Sequence, residues 1–290
     1  MTYAEALARL LALRGGEHAG MRPGLERIEA LLDALGRPER AYTLAQIGGT
    51  NGKGSAAAML AAMLHAAGRR VGLFTSPHLV SFRERIRVDG EAIGEDALAD
   101  GVEALGTQLV RLDASVFEAA TALALDHFAR EGVQVAVLEV GLGGRFDSTT
   151  VGAPAVSVLT SIDLDHQEYL GDTLTAIATD KSHIVRSGVA ISAAQAPAAA
   201  AVIAARAATV GVPLLREGHE LSVTLRARSL EGQRFDCAGP GWRLDDLAIR
   251  LLGTWQPGNA LLAVAAAREL GAGERAIREG LAREIGRAHV

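Results

Sequence analysis

The order of hydrophobic and polar positions along the chain predicts helices that alternate with short strands. Apolar residues recur at helical spacing, in segments rich in Ala and Leu, at residues 3–13, 25–35, 56–67, 96–110, 116–130, 173–186, 193–210 and 260–270. Short runs of Val, Ile and Leu between them are typical of buried strands, at residues 42–47, 71–74, 133–140 and 155–160. This alternation predicts an α/β fold with a mostly parallel sheet flanked by helices.

Two regions depart from this alternation. Residues 81–90 are rich in charge and predict a loop or an edge strand that closes in a turn. Over residues 221–252 hydrophobic and polar positions alternate, with Gly239-Pro240-Gly241 as a turn. A period of two is the pattern of a half-buried strand, so we expect a small antiparallel β extension on the sheet.

A Gly-rich segment, residues 48–55, joins the first predicted strand to the next helix. A strand, a Gly-rich turn and a helix N-terminus in this order form a phosphate cradle, because backbone N–H groups and the helix dipole favour an anion. Lys53 can reach the outer phosphates. The general pattern G-x-x-x-x-G-K-[ST] is matched imperfectly, since Ile47 replaces its first Gly and Gly54 separates Lys53 from Ser55. The alternative is a loop that only turns the chain; the flanking elements favour a P-loop NTPase-like site for a nucleoside triphosphate.

Composition narrows the class of protein. The 290 residues are 49% hydrophobic and 4% aromatic with 33 Gly, which suits an α/β core of small aliphatic residues. The formal net charge of −5 argues against nucleic-acid and anionic-membrane partners. Cys237 is the only cysteine, which excludes an intramolecular disulfide and fits a reducing compartment. Neither a signal-peptide pattern nor a long apolar stretch is seen, so we expect a cytoplasmic protein.

Polar residues follow the predicted strands at their carboxyl ends. Glu139 ends one strand, and Asp163, Asp165 and His166 follow its neighbour. Carboxyl ends of parallel strands share one edge of the sheet. Mg²⁺ prefers one or two carboxylates together with phosphate oxygens and water. These residues therefore predict a Mg²⁺ site beside the cradle, with Ser76 as a further oxygen ligand; the alternative is that Glu139 caps a turn and His166 packs against it.

Together these motifs resemble one family. The chain is similar to the folylpolyglutamate synthase/dihydrofolate synthase family of the Mur ligase superfamily, in which the irregular P-loop is the usual form. The matching stretches follow the family's order, at residues 24–28, 49–55, 75–79, 82–86, 117–118, 138–147, 165–166, 170–173, 177–178, 181, 256 and 259–260.

The resemblance implies an ATP-dependent ligase. In such an enzyme ATP phosphorylates a carboxylate of dihydropteroate or a folate, and the amine of L-glutamate attacks the acyl phosphate to give an amide, ADP and phosphate. The implied partners are these small molecules, with no nucleic acid or membrane, and a monomer is expected. The implied organisation is an N-terminal and central ATP-binding Mur-ligase domain over residues 1–283.

The resemblance also implies roles for individual residues. Lys181 matches a position that is carbamylated in the family and serves a second metal, so two Mg²⁺ sites are expected. The implied catalytic residues are Lys53, Lys181 and His166, and the implied metal ligands are Ser76, Glu139 and His166. The implied ATP contacts are Gly49, Thr50, Asn51, Gly52, Lys53, Gly54, Ser55 and Asn259. The implied pterin or folate contacts are Gly24, Phe117, Glu118, Phe146, Asp147 and Ser148.

Three short stretches depart from the family pattern. Asp180-Lys181-Ser182-His183 stands where Glu-Lys-Ala-Gly is usual, and this bears on carbamylation of Lys181. Thr149-Thr150 replaces Thr-Asn. Trp255-Gln256 replaces His-Gln, and this second replacement alters the nucleotide edge of the site.

The end of the chain carries a separate expectation. Family members continue into a C-terminal glutamate-ligase domain that the sequence lacks, and residues 284–290 resemble the translation of a sequencing adapter. We expect these residues to be a non-native tail on a truncated reading frame, and the chain itself to be weakly active or inactive.

Two other functions stay open at this point. A ligase that joins amino acids to a peptidoglycan precursor would share the P-loop and the metal residues, but it should lack the stretches at residues 83–86 and 142–147. A nucleotide-binding module without ligase activity is the third candidate.

Overall fold

A computed structural model describes residues 1–14, 16 and 22–283, in which helices and strands alternate as expected. The helices are α1 (Tyr3–Leu11), α2 (Glu26–Ala34), α3 (Lys53–Ala66), α4 (Glu95–Arg111), α5 (Val116–Arg130), α6 (Gln167–Leu170), α7 (Leu174–Ser182), α8 (Pro197–Val210), α9 (Gln256–Glu269) and α10 (Glu274–Arg283). The strands are β1 (Thr43–Gly48), β2 (Val71–Phe74), β3 (Ile86–Val88), β4 (Glu91–Ala92), β5 (Val135–Glu139), β6 (Pro154–Leu159), β7 (Val189–Ser192), β8 (Leu214–Arg216), β9 (Ser222–Ser229), β10 (Gly232–Gly239) and β11 (Trp242–Ile249).

The main sheet has eight strands in the order β4-β3-β2-β5-β1-β6-β7-β8. The six strands from β2 to β8 in this order pair in parallel, and β3 and β4 add an antiparallel edge. The four strands β2, β5, β1 and β6 are neighbours, so their carboxyl ends meet at one edge. The predicted α/β fold and the predicted convergence of these strand ends are confirmed.

Helices cover both faces of the sheet, because alternate residues of the central strands point to opposite sides. Ile47 and Val137 lie in a core shared with α3, α9 and α10, whereas Leu44 and Leu138 lie in a core shared with α1, α2, α4 and α5. Gly72 of β2 allows α5 to approach closely, since an added Cβ there would lie 2.7 Å from the ring of Phe128.

The expected antiparallel region forms a separate three-stranded sheet, ordered β11-β10-β9, rather than added strands on the main sheet. Its apolar face, which includes Phe235, Leu247 and Ile249, belongs to the same core as α3, α9 and α10. The other face is largely exposed. A sheet with a single apolar face must bury that face against another element, and the helices α9 and α10 pack on it.

Several elements differ from the sequence-based expectation. The strands β7 and β8 and the helix α10 were not predicted; β7 has four residues and β8 has three, too few for a clear period. Helix α9 begins at Gln256, four residues before the predicted start, and Pro257 at the helix start suits its fixed φ.

Two expectations concern the chain as a whole. The proposed non-native tail, residues 284–290, lies outside the described residues. None of the described helices combines the length and the apolar content needed to cross a bilayer.

Candidate nucleotide and substrate site

The loop between β1 and α3 is shaped for close approach of its backbone. Gly49 and Gly52 have φ angles of 133° and 91°, which side chains disfavour. An added Cβ at Gly49 would collide with Thr160, and one at Gly52 would collide with Asn259. The loop is also tied to the end of β6, since the Thr50 amide donates to the Ser161 carbonyl at 2.8 Å. Both glycines are therefore required by the packing around the loop.

The N-terminus of α3 opens toward this loop. Its N-cap is Gly52, which supplies no side-chain cap, and its first turn carries no acidic residue. The N–H groups of a first helical turn lack intrahelical acceptors, and the helix dipole makes this end positive. The predicted phosphate cradle is thus present as a strand, a glycine turn and an uncapped 14-residue helix.

Two lysines converge on one backbone carbonyl of the cradle. Lys53 Nζ donates to Thr50 O at 2.9 Å and to Gly49 O at 3.2 Å, and Lys181 Nζ donates to Gly49 O at 3.0 Å. Burial of Lys181, reinforced by the nearby charge of Lys53, lowers the pKa of Lys181 to about 8, although Asp165 opposes the shift. The cradle is therefore strongly positive below about pH 8, and the neutral Lys181 amine forms at a lower pH than in an ordinary lysine.

The residues around Lys181 that depart from the family pattern form hydrogen bonds with backbone groups. Ser182 Oγ donates to Thr179 O at 2.9 Å, and the His183 ring lies 2.7 Å from the same carbonyl. The Asp180 carboxylate accepts from the Arg145 amide at 3.3 Å. Asp180 also acts on the charge of Lys181 by raising its pKa, and carbamylation of Lys181 stays a prediction.

Glu139 lies between the cradle and the end of β2. It pairs in register with Ile47 of β1, and its Oε2 accepts from the Ser76 amide at 3.0 Å. Its Oε1 would be 3.2 Å from an added Cβ at Gly54, in the first turn of α3. One carboxylate beside a phosphate cradle suits Mg²⁺, which takes its other ligands from phosphate and water. In the described part of the chain no group of three or more His, Cys, Asp or Glu side chains forms a metal cage.

His166 lies on the same edge, in the segment between β6 and α6. Its Nε2 is 3.4 Å from Asp165 Oδ2, and the side chain is about half exposed. Asp165 is close enough to Lys181 to act on its pKa. The segment is joined to the cradle through Thr50, whose hydroxyl lies 3.1 Å from the Asp163 amide. The structure thus places His166 near the cradle, and its role as a metal ligand stays a prediction.

The N-terminus of α9 packs against the cradle from the other side. Asn259 lies against Gly52 and donates to Gln256 Oε1 at 3.2 Å, and Gln256 Nε2 donates to Ser55 Oγ at 3.3 Å. This relay joins the first turns of α3 and α9. Asn259 therefore supports the shape of the cradle, whatever its contact with a nucleotide.

A pocket of about 310 Å³ opens beside the cradle. Five of the six expected pterin or folate contacts line this pocket, and Gly24 does not. The Gly24 carbonyl accepts a 3.5 Å hydrogen bond from Arg27, and Arg27 does line the pocket. The Phe117 ring packs on Phe74 with 5.7 Å between centroids. The lining of the pocket includes Arg27, Ser76, Phe117, Glu118, Leu142, Phe146, Asp147 and Ser148. Aromatic walls with a few polar groups are typical of small-molecule sites.

The two carboxylates in this wall are already engaged by the protein. Glu118 forms a buried ion pair with Arg27, with Oε1 2.7 Å from Nε, and its Oε2 accepts from the Ser115 amide and hydroxyl. Asp147 accepts from the amides of Gly141 and Leu142, and burial raises its pKa. Both side chains shape the pocket, and their contact with a substrate stays a prediction.

Sequence reasoning missed Arg27 as a pocket residue. The signal that could have indicated its partner is the Ser-x-x-Glu capping box of α5, Ser115 to Glu118, which fixes the Glu118 carboxylate at the helix start. A buried arginine 91 residues away can be paired with it only through the fold.

The chain matches known proteins over most of its length. Residues 47–267 match the family model of the Mur ligase middle domain. The chain is 40% identical to the folylpolyglutamate synthase of Lacticaseibacillus casei over 280 residues, covering 92% of this chain and 64% of that protein. It is 36% identical to the dihydrofolate synthase/folylpolyglutamate synthase of Bacillus subtilis over 277 residues, covering 90% and 64%. The chain thus spans somewhat less than two thirds of these relatives.

A solved structure shows the same fold. The complex of a folylpolyglutamate synthase (FPGS) with AMPPCP and folate superposes with a TM-score of 0.91 at 39% identity, covering 97% of this chain and 72% of the other. Residues 47–267, which match the family model, contain the cradle, Glu139 and most of α9. By its sequence and its fold, this chain belongs to the Mur ligase family, in the branch of the folylpolyglutamate and dihydrofolate synthases.

Proposed function

We propose that the protein is an ATP-dependent ligase that joins L-glutamate to dihydropteroate or a folate through an acyl phosphate. The observation that carries this proposal is the position of Ser76. This residue lines the pocket, and its amide contacts Glu139 at the edge of the phosphate cradle. An acid bound in the pocket would therefore present a carboxylate toward the outer phosphate of a bound nucleotide. The known complex of the similar synthase with AMPPCP and folate supports the same pairing of ligands.

The proposed reaction has two displacements. A carboxylate oxygen of the acid attacks the γ-phosphorus of ATP, and the bond from that phosphorus to the ADP oxygen breaks. The glutamate amine then attacks the acyl carbon, phosphate leaves, and the amine loses a proton. Lys53 and the N–H groups of α3 hold the negative charge that develops on the transferring phosphoryl group, since their donors are fixed before the reaction.

The residues at the edge of the cradle fit a hard cation. We propose that Glu139, Ser76 and His166 hold Mg²⁺, which when bound neutralises phosphate charge. A carbamate on Lys181 would supply a carboxylate ligand for a second Mg²⁺. There the neutral amine attacks the carbon of CO₂ and loses a proton, and a lysine pKa of about 8 supports this step. We also propose a cytoplasmic monomer whose partners are small molecules.

ADP release by the product of the complete gene tests the proposal. We expect release that depends on both an acid and L-glutamate, measured separately with dihydropteroate and with tetrahydrofolate. A Lys53→Met variant is the matched control, because it removes the ammonium group and retains the aliphatic stem. Release only with a muramyl substrate would support a peptidoglycan ligase instead. Nucleotide binding without turnover under any pairing would support a binding module.

A further inference from the structure

Trp255 is a large aromatic side chain that is 80% exposed. Its backbone is nevertheless fixed, since it is the N-cap of α9 and its carbonyl accepts from the Asn259 amide at 3.0 Å. The other tryptophan, Trp242, packs against the core shared with α3 and α9. A single exposed apolar side chain is common on protein surfaces, so the exposure of Trp255 alone indicates nothing. Its position relative to the cradle is the second observation.

The helix end that carries Trp255 forms one side of the cradle. Gln256, the next residue, donates to Ser55 in the first turn of α3, and Asn259 lies against Gly52. The Cα atoms of Trp255 and Gln256 are one peptide apart, about 3.8 Å. The Trp255 ring therefore projects into solvent beside the phosphate loop, from a rigid anchor.

The sheet order fixes the direction in which a bound nucleotide extends. The pocket proposed for the carboxylic acid substrate and the Glu139 side chain lie on the β2 and β5 side of the cradle. Because the acid must reach the outermost phosphate, that phosphate must face this side. The ribose and base then extend the opposite way, toward β6, β7 and α9, which pack together. This is the side on which Trp255 stands.

We propose that Trp255 is a binding residue for the nucleobase of the triphosphate, and that its indole ring stacks on the base. The inference rests on the proposed function, because it needs a nucleotide in the cradle. Stacking requires only a flat π face, which every nucleobase offers, and the exposed indole supplies the other face. The ring would contribute to affinity for the nucleoside part and nothing to affinity for the phosphates.

Binding measurements on the full chain test this inference. Calorimetric titrations with Mg·ATP and with Mg·tripolyphosphate would compare the wild type with Trp255→Ala and Trp255→Phe. Tripolyphosphate occupies the cradle without a base. Leu230→Ala is the matched control, because Leu230 is also an exposed apolar residue, 92% exposed, and lies in the turn between β9 and β10. Trp255 fluorescence, followed in a Trp242→Phe background, reports stacking directly.

We expect Trp255→Ala to weaken ATP binding about tenfold and Trp255→Phe to retain most of it. Tripolyphosphate affinity should be equal in all four proteins, and ATP but not tripolyphosphate should quench Trp255. If both ligands bind the wild type and Trp255→Ala binds ATP as tightly, the inference is overturned while the cradle stands. If neither ligand binds the wild type, the proposed function fails and the inference fails with it.

Discussion

Lys181 offers the sharpest physical test of the site, because an amine is buried beside a second positive charge. The side chain is only 2% exposed, and its pKa is lowered from 10.5 to about 8 by burial and by Lys53. A lysine pKa that is lower in the folded state means that the charged form is destabilising. The cost is fully present below pH 8 and disappears as the pH rises toward the unfolded value of 10.5.

The magnitude follows from the two pKa values. A difference of about 2.5 units corresponds to about 3 kcal/mol of unfolding free energy when the amine is charged in both states. Between about pH 7 and pH 9.5 the wild type should recover about 2 kcal/mol of this cost. In Lys181→Met the aliphatic stem is kept and the titrating group is removed, so this recovery should be absent.

The assay is urea unfolding of wild type and Lys181→Met across this pH range, in buffer freed of CO₂, since a carbamate would replace the titrating amine. Only the difference between the two proteins is used, because other groups titrate in both. Lys53→Met should reduce the pH dependence without abolishing it, since burial is the larger cause of the shift. Parallel pH profiles for wild type and Lys181→Met would refute the reasoning. Adding bicarbonate and finding a mass increase of one CO₂ on wild type alone would support the carbamate.

Three further substitutions probe the cradle and the pocket. Gly52→Ala places a Cβ against Asn259 at a φ of 91°, so ATP affinity measured by titration should fall by at least about tenfold; an unchanged affinity would contradict the cradle. Glu118→Ala removes the buried carboxylate that pairs with Arg27, while Arg27 keeps Glu26 at 2.5 Å, so it should cost about 2–3 kcal/mol in urea unfolding; a loss below about 1 kcal/mol would show that the pair contributes little to stability. Phe117→Ala removes an aromatic wall of the pocket and should weaken binding of the pterin acid about tenfold in titrations, while the affinity for ATP is unchanged. Equal losses of affinity for both ligands would show that Phe117 acts on the whole site.

The parts of the site that the sequence predicted are those encoded locally. The cradle needs a strand, a glycine turn and a helix start within about a dozen residues, and residues 43–55 contain all three. Glu139 could be placed because it ends an uninterrupted apolar strand, whose carboxyl end must share an edge with its parallel neighbours.

The parts that were missed depend on contacts between distant segments. Arg27 becomes a pocket residue only because α2 packs beside α5, where Glu118 forms an ion pair with it. The strand β7 is short and was hidden beside Ala-rich sequence that favours a helix, and only its pairing with β6 makes it a strand. The lowered pKa of Lys181 likewise comes from its burial against the cradle and from the charge of Lys53, which are distant in sequence, so it could not be inferred from a lone lysine on a helix.

The register between β1 and β5 determines how phosphate and metal chemistry can share this edge. Ile47, just before the cradle, pairs with Glu139, and adjacent strands lie only about 4.8 Å apart. The positive groups, Lys53 and Lys181, donate to the Gly49 carbonyl, while the Glu139 carboxylate lies one strand away. A slip of one residue would turn the Glu139 side chain to the opposite face of the sheet and separate it from Ser76. Continuous apolar packing of β5 on both faces makes such a slip costly, so the same core that stabilises the sheet also holds the carboxylate beside the phosphate cradle.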